Sequence, residues 1–336
     1  MIVVLSHLVG GRYFAHMGFY AVRTFFVLSG FVMTSALNEV YGHDGFRFWS
    51  NRLLRLLPPY YVVCVVTAVA IRLYPDHAAA FLPRWGSAMT SAEFAQNLAL
   101  APLAFEALHF RLVPPAWSIA VEMMMYFMLY IGVARSLPGA LLGFTVGVAF
   151  HCAWLSSGAS FDDRYFTPGS ALLSFALGAT LYFFRKNDRK QASVAFGAFV
   201  LVVWFANLLA EGTVFPDGYA LYAGFYVNVL LAALVIVFLS DFNPGPLLRR
   251  LDVALGNLSY PVFLCQWLGG FIVYLMWSQG QPRSWELALA ALPIIILLSI
   301  ALAWAHHLLV EPLRSRIRSA RGFWRSGSPE RQLART

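Results

Sequence analysis

Four short polar groupings interrupt an otherwise hydrocarbon-rich chain, and each carries a side chain suited to proton or anion chemistry. His7 lies inside the first apolar stretch, Ser29-Gly30 follows Phe25-Phe26-Val27-Leu28, Arg52 and Arg55 open the next apolar run, and Glu122 follows Trp117-Ser118 in the one after. Ionisable side chains at membrane depth are costly, so each is a functional-site hypothesis by default. Histidine titrates near neutrality and can take a proton from an attacking hydroxyl, which makes His7 a candidate general base. Arg52 and Arg55, one helical turn apart, can present two guanidinium forks on one side of a helix, a geometry suited to phosphate. Glu122 needs a partner at its depth; an arginine, a histidine or a tyrosine hydroxyl would serve, and Tyr126 lies one turn further on.

Each grouping also has a plainer reading. His7 can be a packing histidine, the arginine pair can be an orientation signal, and Ser29-Gly30 can mark a close helix approach. Ser29 is read as a lining residue and not a nucleophile, because no Gly-x-Ser-x-Gly elbow or acidic triad partner accompanies it. His109, His151 and the pair His306-His307 have no partners at metal-ligand spacing, so packing is expected of them and no metal site is expected.

The elements that hold these groups follow from composition. Of the 336 residues 60% are hydrophobic and only 12% are charged, with a positive mean hydropathy; these are the statistics of a polytopic membrane protein, not a soluble domain. Runs near 1–10, 19–37, 53–72, 116–134, 138–154, 166–184, 193–210, 219–239, 256–277 and 285–310 predict an all-α transmembrane bundle of about ten spans. Cys64, Cys152 and Cys265 each stand alone in a different run and are expected to be buried. The net charge of +8 does not point to nucleic acid, because the basic residues cluster by side of the membrane.

With both termini inside, Arg47, Arg52, Arg55, Arg135, Arg185, Lys186, Arg189, Lys190, Arg249, Arg250 and the arginines from Arg314 onward are cytoplasmic. Arg12, Arg72, Arg84, Arg111, Arg164 and Arg283 are outside, and Arg23 lies within the second span. Residues 73–115 form a long proline-bearing outer segment whose Ala92–Leu108 portion could hold an interfacial helix, either as a functional loop or as a lid packed on the bundle. Residues 314–336 read as a basic tail against anionic membrane lipid.

The motifs occur in a recognisable order: His7, Phe25-Phe26-Val27-Leu28-Ser29-Gly30-Phe31, Arg52-Leu53-Leu54-Arg55-Leu56-Leu57-Pro58, Pro115-Ala116-Trp117-Ser118-Ile119-Ala120-Val121-Glu122, Leu255-Gly256-Asn257-Leu258-Ser259-Tyr260 and Glu311-Pro312. The ordered set resembles the acyltransferase-3 family across residues 1–313. That resemblance implies an integral membrane O-acyltransferase of the bacterial inner membrane. Such an enzyme moves an acyl group, acetyl above all, from cytoplasmic acyl-CoA to a hydroxyl of a cell-surface carbohydrate such as lipopolysaccharide or exopolysaccharide. It implies catalytic roles for His7 and Glu122, donor binding by Arg52 and Arg55, and substrate contacts from Ser29, Gly30, Trp117, Ser118, Tyr126 and Tyr260.

The chain departs from the family pattern in places. Met123 stands where many relatives carry a second acid, Gln266 lies where the fifth motif commonly ends in a histidine, and Arg23 precedes the paired phenylalanines. The basic residue usual upstream of the histidine would fall before Met1. A first span of about ten residues covers roughly 15 Å, so a longer native start that completes this helix is expected. No soluble hydrolase-like domain follows the bundle, so transfer is expected to be finished by the membrane domain or a partner. Two other classes stay open: a transporter or flippase for a lipid-linked or polysaccharide substrate, and a non-catalytic membrane partner.

Overall fold

A computed structural model describes residues 1–10, 12–105, 110–187, 193–210, 214–215, 218–242, 245–277 and 283–319. The described residues form fourteen α-helices and no strand. They are α1 (Ile2–Leu8), α2 (Arg12–Ser35), α3 (Gly45–Leu73), α4 (Pro75–Phe81), α5 (Ser91–Ala99), α6 (Trp117–Met128), α7 (Leu137–Ser156), α8 (Phe161–Phe166), α9 (Ala171–Asn187), α10 (Val194–Leu209), α11 (Ala223–Asp241), α12 (Pro246–Trp277), α13 (Trp285–Leu309) and α14 (Glu311–Ser319). Every one of the ten apolar runs is helical. Among the described residues seven helical stretches are long and apolar enough to cross a bilayer: those containing α2, α3, α6, α7, α11, α12 and α13. Among the other three, α9 and α10 are shorter and α1 has seven residues.

Helix starts are written in the sequence as polar caps, which satisfy backbone N–H groups that the first turn leaves unpaired. Asp44 caps α3 through the Arg47 amide, Ser136 caps α7, Ser193 caps α10 and Ser284 caps α13. Thr90 with Glu93, and Ser160 with Asp163, form reciprocal capping boxes at α5 and α8.

α3, α12 and α13 pack together, as do α2, α7, α9, α10 and α11; α1 packs on α2 and also meets α12 and α13, and α6 touches α2 and α9. A continuous apolar core joins these elements through residues such as Leu8, Phe26, Tyr60, Ile119, Phe175, Phe271 and Ile295. The tightest seam is α2 on α9. A Cβ on Gly30 would lie 2.1 Å from the Phe175 carbonyl oxygen, and one on Gly178 would lie 2.1 Å from that of Val27, so both glycines are required by the approach of the two backbones.

Three expectations are refined here. Cys64 and Cys265 are buried, but Cys152 is exposed. The buried stripe of α7 runs through Ala140, Gly143, Gly147 and His151, and Cys152 is the next residue round, on the outward face. In the 73–115 segment the helix over Ser91–Ala99 stops well before residue 108, because Leu100 takes a positive φ of 61° and Pro102 follows. Residues 106–109, including His109, lie outside the described residues, as do 188–192 and the tail from residue 320. The tail's first residues belong to α14, which packs on α3.

Replacing Gly30 or Gly178 by valine should disrupt the α2–α9 seam and destabilise the protein by at least 1–3 kcal/mol on the scale of about that size typical of overpacked cores. Gly256→Ala, where a Cβ meets nothing within 4 Å, is the control expected to be tolerated. Thermal unfolding of detergent-solubilised protein measures both.

Candidate active site

Residues singled out by the sequence fall into three groupings spread along the bundle. α3 orients them: Arg52 lies near its first end and Leu73 at its other, about 32 Å apart along the helix. The 73–115 segment and the loop before α13 form one end, here the loop end. Arg52, Arg55 and α14 form the arginine end.

At the loop end His7 sits on the last turn of α1, partly buried. Its ring nitrogen Nδ1 is 3.1 Å from Gln266 Oε1, and its ring centroid is 5.5 Å from that of Trp267. Gln266 is fully buried on α12, and its Nε2 donates to the Phe263 carbonyl at 2.8 Å. That bond turns the carbonyl oxygen toward His7, and an oxygen can only accept, so Nδ1 carries the proton and donates. Nε2 then presents its lone pair. Gln266 and Trp267 were not legible as site residues; the one signal was that Gln266 occupies a position where the family motif commonly has histidine.

Further into the bundle Glu122 is buried on α6 about 8 Å from the start of that helix. Its carboxylate accepts from Ser29 Oγ at 3.1 Å and from the Tyr126 hydroxyl in a very short contact. Those are the partners its depth demands, and they tie α6 to α2. The charges of Arg52 and Arg55 act on this same carboxylate, and Tyr260 is close enough to feel it. Among the described residues no hydrogen bond joins Glu122 to His7. Gly30 is buried in the α2–α9 seam, where it lets Ser29 be held against Glu122. Trp117 packs on Tyr165 and Phe166 with centroids 5.4 and 4.9 Å away, and Ser118 donates to the Pro115 carbonyl, fixing the first turn of α6.

The arginine end is built around two successive prolines. Pro58 and Pro59 lack N–H groups, so the carbonyls one turn earlier, at Leu54 and Arg55, lose their helical donors. His306 Nε2 lies 3.1 Å from the Leu54 oxygen and replaces one of them, and the Tyr260 hydroxyl donates to the Leu56 carbonyl at 2.8 Å. Arg52 is buried with its guanidinium 5.9 Å from the Phe48 ring, whereas Arg55 is exposed.

α14 closes this end. Asn51 Nδ2 donates to the Arg314 carbonyl, Arg314 Nη2 donates to Asn51 Oδ1, and Arg47 Nε donates to the Ile317 carbonyl. Arg314 also pairs with Glu311 at 2.5 Å. Burial holds the Arg314 guanidinium below its ordinary value; Glu311 opposes that, and the nearby charges of Arg55, Arg318 and Arg52 add to it. Arg314 therefore joins the arginine pair in space, which spacing along the chain did not reveal. Arg47 Nη1, Arg52 Nε and Arg314 Nε are buried without hydrogen-bond partners among the described residues. Such N–H groups fit an anionic ligand at this end.

Fold and site together define a multi-pass membrane protein with polar groups strung from one end of a helical bundle to the other. Residues 1–308 match the acyltransferase domain family, and the chain belongs to that family. A Staphylococcus aureus (strain COL) protein named "Putative O-acetyltransferase" is 24% identical over 306 residues, covering 79% of this chain and 48% of the relative. The "O-acetyltransferase OatA" of S. aureus (strain NCTC 8325 / PS 47) is 28% identical over 124 residues, 32% of this chain and 19% of its own length. A Bacillus subtilis (strain 168) protein named "Putative peptidoglycan O-acetyltransferase YrhL" is 45% identical over 64 residues, 18% of this chain and 10% of its own. The chain spans about half the length of the first of these relatives. No solved structure matches it.

His306→Leu should leave the Leu54 carbonyl without a donor at a proline-broken turn and cost about 1–3 kcal/mol, the penalty of one buried unsatisfied group. His306→Gln, which can still donate, should recover most of it. Chemical denaturation of the purified protein compares the two.

Proposed function

We propose that this protein is a membrane O-acetyltransferase that takes its acyl group from acyl-CoA at the arginine end and delivers it to a carbohydrate hydroxyl at His7. The observation that carries the reading is the His7–Gln266 pair, which leaves Nε2 of a partly buried histidine as a proton acceptor at the loop end. An acceptor hydroxyl bonded to Nε2 gives up its proton there as its oxygen attacks the thioester carbonyl. The carbon–sulfur bond breaks, an ester forms, and the thiolate leaves and is protonated to the free thiol.

Arg52 and Arg55, joined by Arg314, hold the donor's phosphates through charge-assisted hydrogen bonds. The buried N–H groups at this end supply the fit. Ser29, Glu122, Tyr126 and Tyr260 line the stretch between the two ends, with Glu122 placing its polar contacts where the extended arm of the donor passes. Trp117, Ser118 and Gly30 act through the placement of α6 and α2. His7 and Glu122 thus hold the catalytic roles, in separate groupings.

Positive charge concentrated at the arginine end sets the orientation: this end, with α14, faces the cytoplasm of a bacterial inner membrane, and the loop end faces outward. The names of the matched relatives, O-acetyltransferases and in one case a peptidoglycan O-acetyltransferase, support acetyl as the acyl group and a surface glycan as acceptor. A transporter or a non-catalytic partner would not consume acyl-CoA, so acyl-CoA-dependent transfer by purified protein tests the reading, and its absence with every glycan offered would overturn it.

His7→Ala should lower transfer by about 10²–10⁴-fold while the protein stays folded, the usual contribution of a general base. Gln266→Leu, which leaves the tautomer unfixed, should give an intermediate loss at unchanged donor affinity. Equal rates in all three proteins would remove the assignment.

Arg52→Ala and Arg55→Ala should instead weaken donor binding, because each removes a phosphate contact distant from the reacting atoms. Equilibrium binding of acyl-CoA reads this directly. Unchanged affinity in both would return the pair to an orientation signal.

A further inference from the structure

Two polar residues at the arginine end take no part in the transfer itself: Asn51, just before Arg52, and Glu311, which opens α14 together with Pro312. Proline is tolerated in the first turn of a helix and a carboxylate there suits the helix dipole, so Glu311-Pro312 is a good start for α14 whatever else it does. The contacts of Glu311 say more. Its carboxylate reaches along its own helix, taking Arg314 Nη1 on one oxygen at 2.5 Å and Arg318 Nη2 on the other.

Asn51 is fully buried on α3. Its Oδ1 accepts from Arg314 Nη2 at 3.1 Å, and its Nδ2 donates to the Arg314 carbonyl at 3.3 Å. The buried Arg314 guanidinium is thus held at both terminal nitrogens, by Asn51 from α3 and by Glu311 from its own helix. Its Nε–H is left buried with no hydrogen-bond partner among the described residues, as is that of Arg52. Arg47, one turn before Asn51, steadies the far end of α14: its Nε donates to the Ile317 carbonyl and its Nη2 to that of Arg318, groups for which the helix end supplies no donor.

The direction in which Arg314 is held works against electrostatics. Asn51 and Arg55 lie four residues apart on one face of α3, so tying Arg314 to Asn51 sets it where the charges of Arg55, Arg318 and Arg52 all act on it. Like charges so placed repel. Anchoring α14 would need only the bonds from Arg47 and Asn51 to its backbone carbonyls. The second oxygen of each clamp is spent on the Arg314 side chain, and what that fixes is where the guanidinium points.

We propose that Asn51 and Glu311 are positioning residues of the donor site, holding Arg314 so that its unpaired edge meets a donor phosphate alongside Arg52 and Arg55. The inference rests on acyl-CoA being the donor. A guanidinium binds phosphate through a planar fork, and one whose rotamer is already set loses less freedom on binding than one that must be ordered by the ligand. Glu311 offsets part of the positive charge near the phosphates, which by itself weakens their attraction. Its contribution is direction, and it outweighs the charge.

The test is equilibrium binding to the purified full chain in neutral detergent, with acetyl-CoA and with S-acetylpantetheine, which carries the same thioester arm and no phosphate. The sign of one effect separates charge from positioning. By charge alone Glu311→Ala removes a negative group beside the phosphates and tightens acetyl-CoA binding; by loss of positioning it weakens it. The proposal expects roughly tenfold weaker acetyl-CoA binding in Glu311→Ala and in Asn51→Leu, the scale of one hydrogen bond to a charged group. Glu311→Gln, whose amide oxygen still accepts from Arg314, should recover most of the loss. S-acetylpantetheine should bind all of them like wild type, which a general loss of structure would not allow. Should the buried Asn51→Leu fail to fold, the partly exposed Glu311 pair decides the matter. Unchanged or tighter acetyl-CoA binding in Glu311→Ala would overturn the positioning role, as would equal weakening of both probes or no recovery in Glu311→Gln. Wild-type protein that binds acetyl-CoA no better than S-acetylpantetheine would instead overturn the donor assignment, and the proposal with it.

Discussion

Inside a bilayer a polar group has no water to fall back on, and this bundle is organised by that constraint. Several of the buried polar side chains that interrupt the apolar helices are answered by other segments. Glu122 is answered by Ser29 and Tyr126, and the Leu54 carbonyl, orphaned by Pro58, by His306. Arg23, almost wholly buried, donates to the Ser170 and Tyr165 carbonyls and to the Ser170 hydroxyl, with the rings of Tyr165 and Phe225 about its guanidinium. These pairings choose which helices lie side by side, because apolar side chains alone would be as content against lipid.

The α2–α9 seam shows how packing and chemistry are joined. Two glycines bring the backbones together, and the same close approach places Ser29 on the Glu122 side of α2. A serine one residue before a glycine in the middle of a span therefore has a structural task and a polar one at once. In the same way the prolines after Arg55 weaken the helix that carries the arginine pair; His306, from a later helix, replaces the donor lost at the Leu54 carbonyl, and Tyr260 adds a bond to the Leu56 carbonyl. The integrity of that end depends on elements more than two hundred residues away in sequence.

Helix identity was legible because runs of apolar residues long enough to cross a membrane are rare in other contexts. All ten runs became helices, and the family motifs named their order. Lateral arrangement was not legible. Apolar side chains look alike whether they face lipid or protein, which is why Cys152 was expected inside and lies outside. The partner of Glu122 was among three residue types allowed by its depth, and Tyr126 was already marked one turn away. The partner of His7 lies 259 residues further along, and no local pattern could pair them.

Those long separations bear on how the protein is made. The hydrogen bond from His7 to Gln266 and the strap from Arg47 to Ile317 span 259 and 270 residues of chain. Synthesis proceeds from the amino terminus, so a chain still on the ribosome has inserted His7, Arg52, Arg55 and Glu122 long before α12 and α14 exist. During that interval His7 lacks the amide that fixes its proton, and Arg47 and Asn51 lack the helix that closes over them. Both ends of the bundle are completed only once α12 and α14 have emerged, so a chain that stops short of them holds the named residues without their working geometry.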